Sequence, residues 1–83
     1  MKKADSEHLI EYASLPHIEL IGCNECIIDG LKGIIKYDSE KIKVDLGKFS
    51  VTFYGDGLYI NSFSHEGAIV SGTVVSVEFE GNA

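Results

Sequence analysis

The chain has no tryptophan and no arginine, one proline and two cysteines. It also lacks any apolar run approaching the roughly 18 residues that cross a bilayer as a helix. Each shortage removes an explanation. Sequence-specific nucleic-acid binding leans on arginine forks at base edges and on a cationic surface that displaces counterions from phosphates. A chain with a net charge of −6 and no arginine is a poor candidate for that role. Lys2 and Lys3 follow the initial methionine, but Asp5, Glu7 and Glu11 stand where a secretory leader places its apolar stretch. Retention in the cytoplasm is therefore the expectation. Two cysteines are too few for a four-thiolate zinc site within one chain. The single proline, Pro16, forces an extended backbone at its entry and divides an N-terminal arm from the rest of the chain.

What is present is sheet-forming sequence. Eighty-three residues make one domain near the lower limit for a core that folds alone. A disulfide, a metal or a partner subunit is worth looking for at this size. An apolar content of 45% excludes a disordered chain. All seven lysines lie within residues 1–48, whereas residues 49–83 carry acids and no base. A solvated surface explains that asymmetry, and head-to-tail contact between copies is the alternative.

Residues 1–14 read as an arm, with a short helix over 5–13 capped by Asp5 or Ser6 and presenting Leu9, Ile10 and Ala13. Residues 15–81 read as a single β domain. Strands are expected at 17–21, 25–28, 33–37, 41–46, 48–54, 57–62, 67–71 and 73–80, separated by Gly, Asp, Asn and Ser. Three of them alternate: Ile42, Val44 and Leu46 oppose Lys41, Lys43 and Asp45; Phe49, Val51 and Phe53 oppose Lys48, Ser50 and Thr52; Val75, Val77 and Phe79 oppose Ser76 and Glu78. Period two with one polar face describes a sheet wetted on one side. Gly55-Asp56-Gly57 reads as a hairpin turn flanked by Tyr54 and Tyr59. Connections this short exclude parallel crossovers. The fold class is thus all-β: an antiparallel meander of seven or eight short strands, closed as a small sandwich or barrel. The regular spacing also suits a β-solenoid-like stack.

Cys23-Asn24-Glu25-Cys26 is the only stretch resembling a chemical motif. A C-x-x-C pair serves as a redox dithiol or as half of a zinc site. Zinc needs two further ligands, from His8, His17 and His65 or from a second chain. A redox pair needs a helix N-terminus, whereas Cys26 enters a strand, so turn and core thiols are the plainer reading. No serine, histidine and carboxylate pattern marks a nucleophile, and the glycines lack the strand–loop–helix setting of a phosphate loop. Glu78 and Glu80 lie two apart on one strand face and read as solvated. Tyr54 and Tyr59 could stack on a sugar or a partner, with packing across strands as the plainer reading.

The order of these segments resembles the YabP/YqfC family of sporulation proteins, most closely its YqfC-like branch. The likeness runs through Leu15-Pro16-His17-Ile18-Glu19-Leu20-Ile21-Gly22, Lys32-Gly33-Ile34-Ile35-Lys36-Tyr37, Ile42-Lys43-Val44 and Gly47-Lys48. It continues through Phe53-Tyr54-Gly55-Asp56-Gly57-Leu58-Tyr59-Ile60 and Glu66, and ends with Val70-Ser71-Gly72-Thr73-Val74-Val75-Ser76-Val77-Glu78-Phe79. The resemblance implies a small cytoplasmic protein on the mother-cell side of the forespore envelope, working with a membrane-associated sporulation partner. It supplies no catalytic residues and does not call for Cys23 or Cys26.

The resulting expectation is a non-enzymatic scaffold or adaptor in spore envelope formation, without a cofactor, binding itself and a membrane or envelope sporulation protein but neither nucleic acid nor the bilayer core. Lys41, Lys43, Tyr54 and Tyr59 are the candidate contact residues. The alternative is a small metal-binding or redox protein using Cys23 and Cys26.

Overall fold

The computed structural model describes residues 16–64 and 67–82. Within them the chain forms six strands: β1 (His17–Ile21), β2 (Glu25–Asp29), β3 (Gly33–Tyr37), β4 (Lys41–Asp45), β5 (Phe49–Ser64) and β6 (Gly67–Gly81). They make one sheet in the order β1-β2-β6-β5-β4-β3. Every neighbouring pair is antiparallel. The parallel pairing that a solenoid stack requires is therefore ruled out. The sheet is open, with β1 and β3 at its ends, rather than a closed sandwich or barrel. The expected helix over 5–13 lies outside the described residues.

The eight expected strands become six because Gly55-Asp56-Gly57 does not turn the chain. β5 runs through it from Phe49 to Ser64, and β6 likewise runs through Gly72. What the glycines permit is close approach. A Cβ on Gly55 would lie 1.9 Å from the carbonyl oxygen of Thr73, and one on Gly72 would lie 2.4 Å from that of Gly57. Gly72 also holds φ at +116°, which favours a residue without Cβ. Register shifts between Tyr54 and Gly55, between Asp56 and Tyr59, and between Ile60 and Ser62 add local twist to the β5–β6 ribbon here.

The two smaller hairpins flank this ribbon on opposite sides. β2 pairs with the first part of β6, from Glu25↔Ser71 to Asp29↔Gly67. β4 pairs with the first part of β5, from Lys41↔Tyr54 to Asp45↔Ser50. Each hairpin's turn bonds to the ribbon's irregular middle. The carbonyls of Asn24 and Cys23 accept from the N–H groups of Gly72 and Val74, and those of Glu40 and Ser39 accept from Gly55 and Leu58. The turn before β4 is shaped by Asp38, whose Oδ1 accepts from the N–H groups of Glu40 and Lys41 at 2.9 Å each.

One core joins the two ends of the ribbon. Cys26, Ile28, Ala68 and Val70 cluster with Ile42, Val44, Val51 and Phe53, and Leu31, Leu46 and Leu58 complete it. Each large aliphatic or aromatic side chain so buried contributes about 1.5–3 kcal/mol. The alternation expected for β4 and the start of β5 holds, since Ile42, Val44, Leu46, Val51 and Phe53 are all buried. It fails on β6. The ladder passes from Tyr54↔Ser76 to Gly55↔Val74 and leaves Val75 unpaired. Val74 and Val77 pack against the core, while Val75 is 74% exposed and Phe79 63% exposed.

Candidate interaction surface

The outer face of β4, β5 and β6 carries a polar lattice set by register. Lys41 sits opposite Tyr54, which sits opposite Ser76; Lys43, Thr52 and Glu78 form the next row, and Asp45, Ser50 and Glu80 the third. The long side chains reach diagonally between rows. Lys43 Nζ donates to Glu80 Oε1 at 2.9 Å, the Tyr54 hydroxyl donates to Glu78 Oε1 at 3.0 Å, and Lys41 Nζ lies 5.6 Å from the centre of the Tyr54 ring. The short side chains between them, Ser50 and Thr52, are consequently buried although they belong to the polar face. Ser50 donates to Asn82 Oδ1 at 2.9 Å, and the Asn82 amide donates to Asp45 Oδ1 and to the Gly47 carbonyl at 3.1 Å each. Among the described residues no buried side-chain nitrogen or oxygen lacks a partner.

The electrostatics reflect these bonds. The hydrogen bond to Glu80, with its charge, holds the Lys43 ammonium above its ordinary pKa, and the reciprocal bond holds Glu80 below the usual carboxylate value. Tyr54 is raised chiefly because its hydroxyl donates to Glu78. The lattice is charged, mutually neutralised and exposed, so it offers shape and pattern more than net charge.

Of the sequence-predicted contact residues, the structure brings Lys41, Lys43 and Tyr54 together and leaves Tyr59 apart. Tyr54 and Tyr59 do not face each other across a turn, since both lie on one continuous strand. Tyr59 pairs with Ser71 and borders a shallow depression with Ile21, Asn24, Glu25 and Asn61. Glu78 and Glu80, read from sequence as merely solvated, are partners in the lattice. The signal was their spacing of two, which matches that of Lys41 and Lys43 on a strand two places away.

Cys23 and Cys26 part company. Cys23 lies exposed in the β1–β2 turn, with its thiol 3.3 Å from Asn24 Oδ1. Cys26 is wholly buried in the core, and desolvation pushes its thiol up to about 11. The thiolate, the form that attacks disulfides and binds metals, is disfavoured there. Among the described residues no three His, Cys, Asp or Glu side chains gather as a metal cluster. His17 lies 3.9 Å from Glu19 on the exposed edge strand, and His8 and His65 fall outside the described residues.

Large apolar side chains are also exposed, among them Leu20, Ile35, Phe63, Val75 and Phe79. The Phe49 and Phe79 rings meet at 6.1 Å between centroids, at the end of the ribbon away from its irregular middle. No described helix is long and apolar enough to cross a membrane.

No curated protein and no solved structure matches the chain. The model of the YabP family matches residues 14–83, a span that takes in all six strands. The chain thus belongs to the YabP family, a sporulation-associated family.

Proposed function

We propose that the protein is a non-enzymatic scaffold or adaptor in spore envelope formation, of the YqfC-like branch, binding a second copy of itself and a membrane-associated sporulation partner from the mother-cell cytoplasm. The observation that carries this reading is the amount of large apolar surface exposed on so small a sheet, with Val75, Phe79 and Phe63 each more than half exposed. Contiguous exposed apolar patches mark interaction surfaces, and Val75 and Phe79 lie on one stretch of β6 with the Phe79 ring against Phe49. The Lys41, Lys43 and Tyr54 lattice lies on the neighbouring strands β4 and β5 and supplies a patterned polar surface for orientation.

A metal or redox role for Cys23 and Cys26 fits less well. One thiol is in solvent, while the other is in the core and held protonated by burial. Crosslinking and affinity capture of the tagged chain from sporulating cells tests the adaptor reading. Recovery of an envelope or membrane sporulation protein, lost in a Lys41→Glu, Lys43→Glu, Tyr54→Ala variant that still folds, is the expected result. Capture of none, or full loss of heat-resistant spores in a folded Cys23→Ser, Cys26→Ser variant, would overturn it.

A further inference from the structure

Among the described residues the β6 strand beyond Val74 has a neighbouring strand on one side only. Its last bond on the other side is the Val74 N–H to the Cys23 carbonyl, at 2.7 Å. From Val75 to Glu80 only β5 pairs with it among the described residues. Alternate N–H and C=O groups along that edge therefore face outward, a ready template for another strand.

The other edges are guarded. β3 carries a register shift between Ile34 and Lys36, and a lysine within it. β1 is an edge of only five residues, entered from Pro16. On the second part of β5 the Ile60 N–H is taken by the Tyr37 hydroxyl at 3.0 Å. The edge Val75-Ser76-Val77-Glu78-Phe79-Glu80 has neither lysine nor proline. Its carboxylates are engaged within their own sheet, Glu78 by Tyr54 and Glu80 by Lys43, which weakens the repulsion they would offer an approaching strand.

We propose that this edge pairs antiparallel with the same edge of a second copy, about a two-fold axis at Val77. It rests on the assembly reading above and names its surface. The segment is self-complementary in that register. Val75 lies opposite the partner copy's Phe79, Val77 opposite Val77, and Ser76 opposite Glu78. Apolar positions thus fall level with apolar ones, and no two carboxylates oppose each other. Centring the pair on Glu78 sets that carboxylate against its own copy. An offset of one residue places each apolar row against the other strand's polar row. The Cys23 turn, which already occupies Val74, limits this pairing to residues 75–79 of each copy, and a pairing centred nearer Val75 leaves fewer residues clear of it. The two most exposed of the large apolar side chains, Val75 and Phe79, are those this register covers. A joined pair also makes one twelve-stranded sheet from two six-stranded ones, leaving β3 at both ends of the polar-lattice side.

Sedimentation of the purified full chain from roughly micromolar to several hundred micromolar tests the pairing. The wild type should associate to a dimer. Val75→Lys with Phe79→Lys, both at exposed positions, should weaken that association by about tenfold or more while keeping the folded circular dichroism, with only a small fall in melting temperature from the lost Phe49–Phe79 contact. In a Cys23→Ser background, Val77→Cys should form an intermolecular disulfide on mild oxidation, and Leu20→Cys on β1 should not. A wild type that stays monomeric throughout would overturn the proposal, as would a dimer indifferent to both lysines. So would a dimer seen only after residues 1–13 are removed, which would assign the edge to the chain's own arm. These readouts use pure protein, so they can fail while partner capture from cells succeeds, and the reverse.

Discussion

Two edges of the same ribbon have different fates. β5 loses its second neighbour after Leu58, where the Ser39 carbonyl makes the last bond of the β3–β4 hairpin, and β6 loses its own after Val74. Past those points no further strand among the described residues flanks either one on that side. On β5 the gap is crossed by Tyr37, whose hydroxyl accepts the Ile60 N–H. On β6 no described residue does the same, and Val75 and Phe79 stand in solvent. A single side chain at the end of β3 separates a finished edge from an open one.

The comparison can be broken most completely at the ribbon's middle. Gly55→Ala puts a methyl group against the Thr73 carbonyl, at a backbone position with no room to yield. It should cost more than about 4 kcal/mol and leave the chain largely unfolded by circular dichroism, taking both edges with it. Ile42→Ala and Ile28→Ala probe the core from opposite hairpins. Each should cost about 2–5 kcal/mol and preserve one cooperative melt, because both side chains belong to one cluster. Two separate transitions would show instead that the halves fold independently.

Tyr37→Phe sharpens the contrast by opening the closed edge. Losing that bond should cost about 0.5–1.5 kcal/mol, with the Ile60 amide exchanging faster and the rest of β5 unchanged. The smallest effect concerns the lattice. Glu80 has a lowered folded-state pKa, so its contribution is present at neutral pH and fades as pH falls through that value. Lys43 is raised, so its contribution holds below the ordinary lysine value and fades as pH climbs through the raised one. Glu80→Gln should therefore lower stability slightly at neutral pH and converge with the wild type once pH falls below the Glu80 value, flattening the acid limb of a stability-against-pH curve. An acid limb as steep as the wild type's would assign it to other carboxylates.

Much of the fold was legible in the chain. β1 to β4 fall where alternation and turn residues put them, and Ile42, Val44, Val51 and Phe53 are the core they promised. The miss came at Gly55-Asp56-Gly57, because glycine signals both a turn and a close crossing of backbones. Only the partner strand, with its Thr73 carbonyl 1.9 Å from a Cβ on Gly55, distinguishes them. The same miss split β5 in two and set Tyr54 opposite Tyr59. Lys41, Lys43 and Tyr54 were findable because period two and a short hairpin keep them on one face. Their bonds to Glu78 and Glu80 were not, since those depend on which later strand lies beside β5 and in what register. The exposure of Val75 comes from a one-residue shift in the ladder, which local patterning does not carry.

Backbone amide exchange, measured by nuclear magnetic resonance at low and high protein concentration, tests the edge contrast most directly. Ile60 should be protected at both concentrations. The outward-facing amides between Val75 and Glu80 should exchange rapidly when dilute and slow as concentration rises. Protection of those β6 amides in dilute solution, or their rapid exchange at every concentration, would contradict the contrast between a finished edge and an open one.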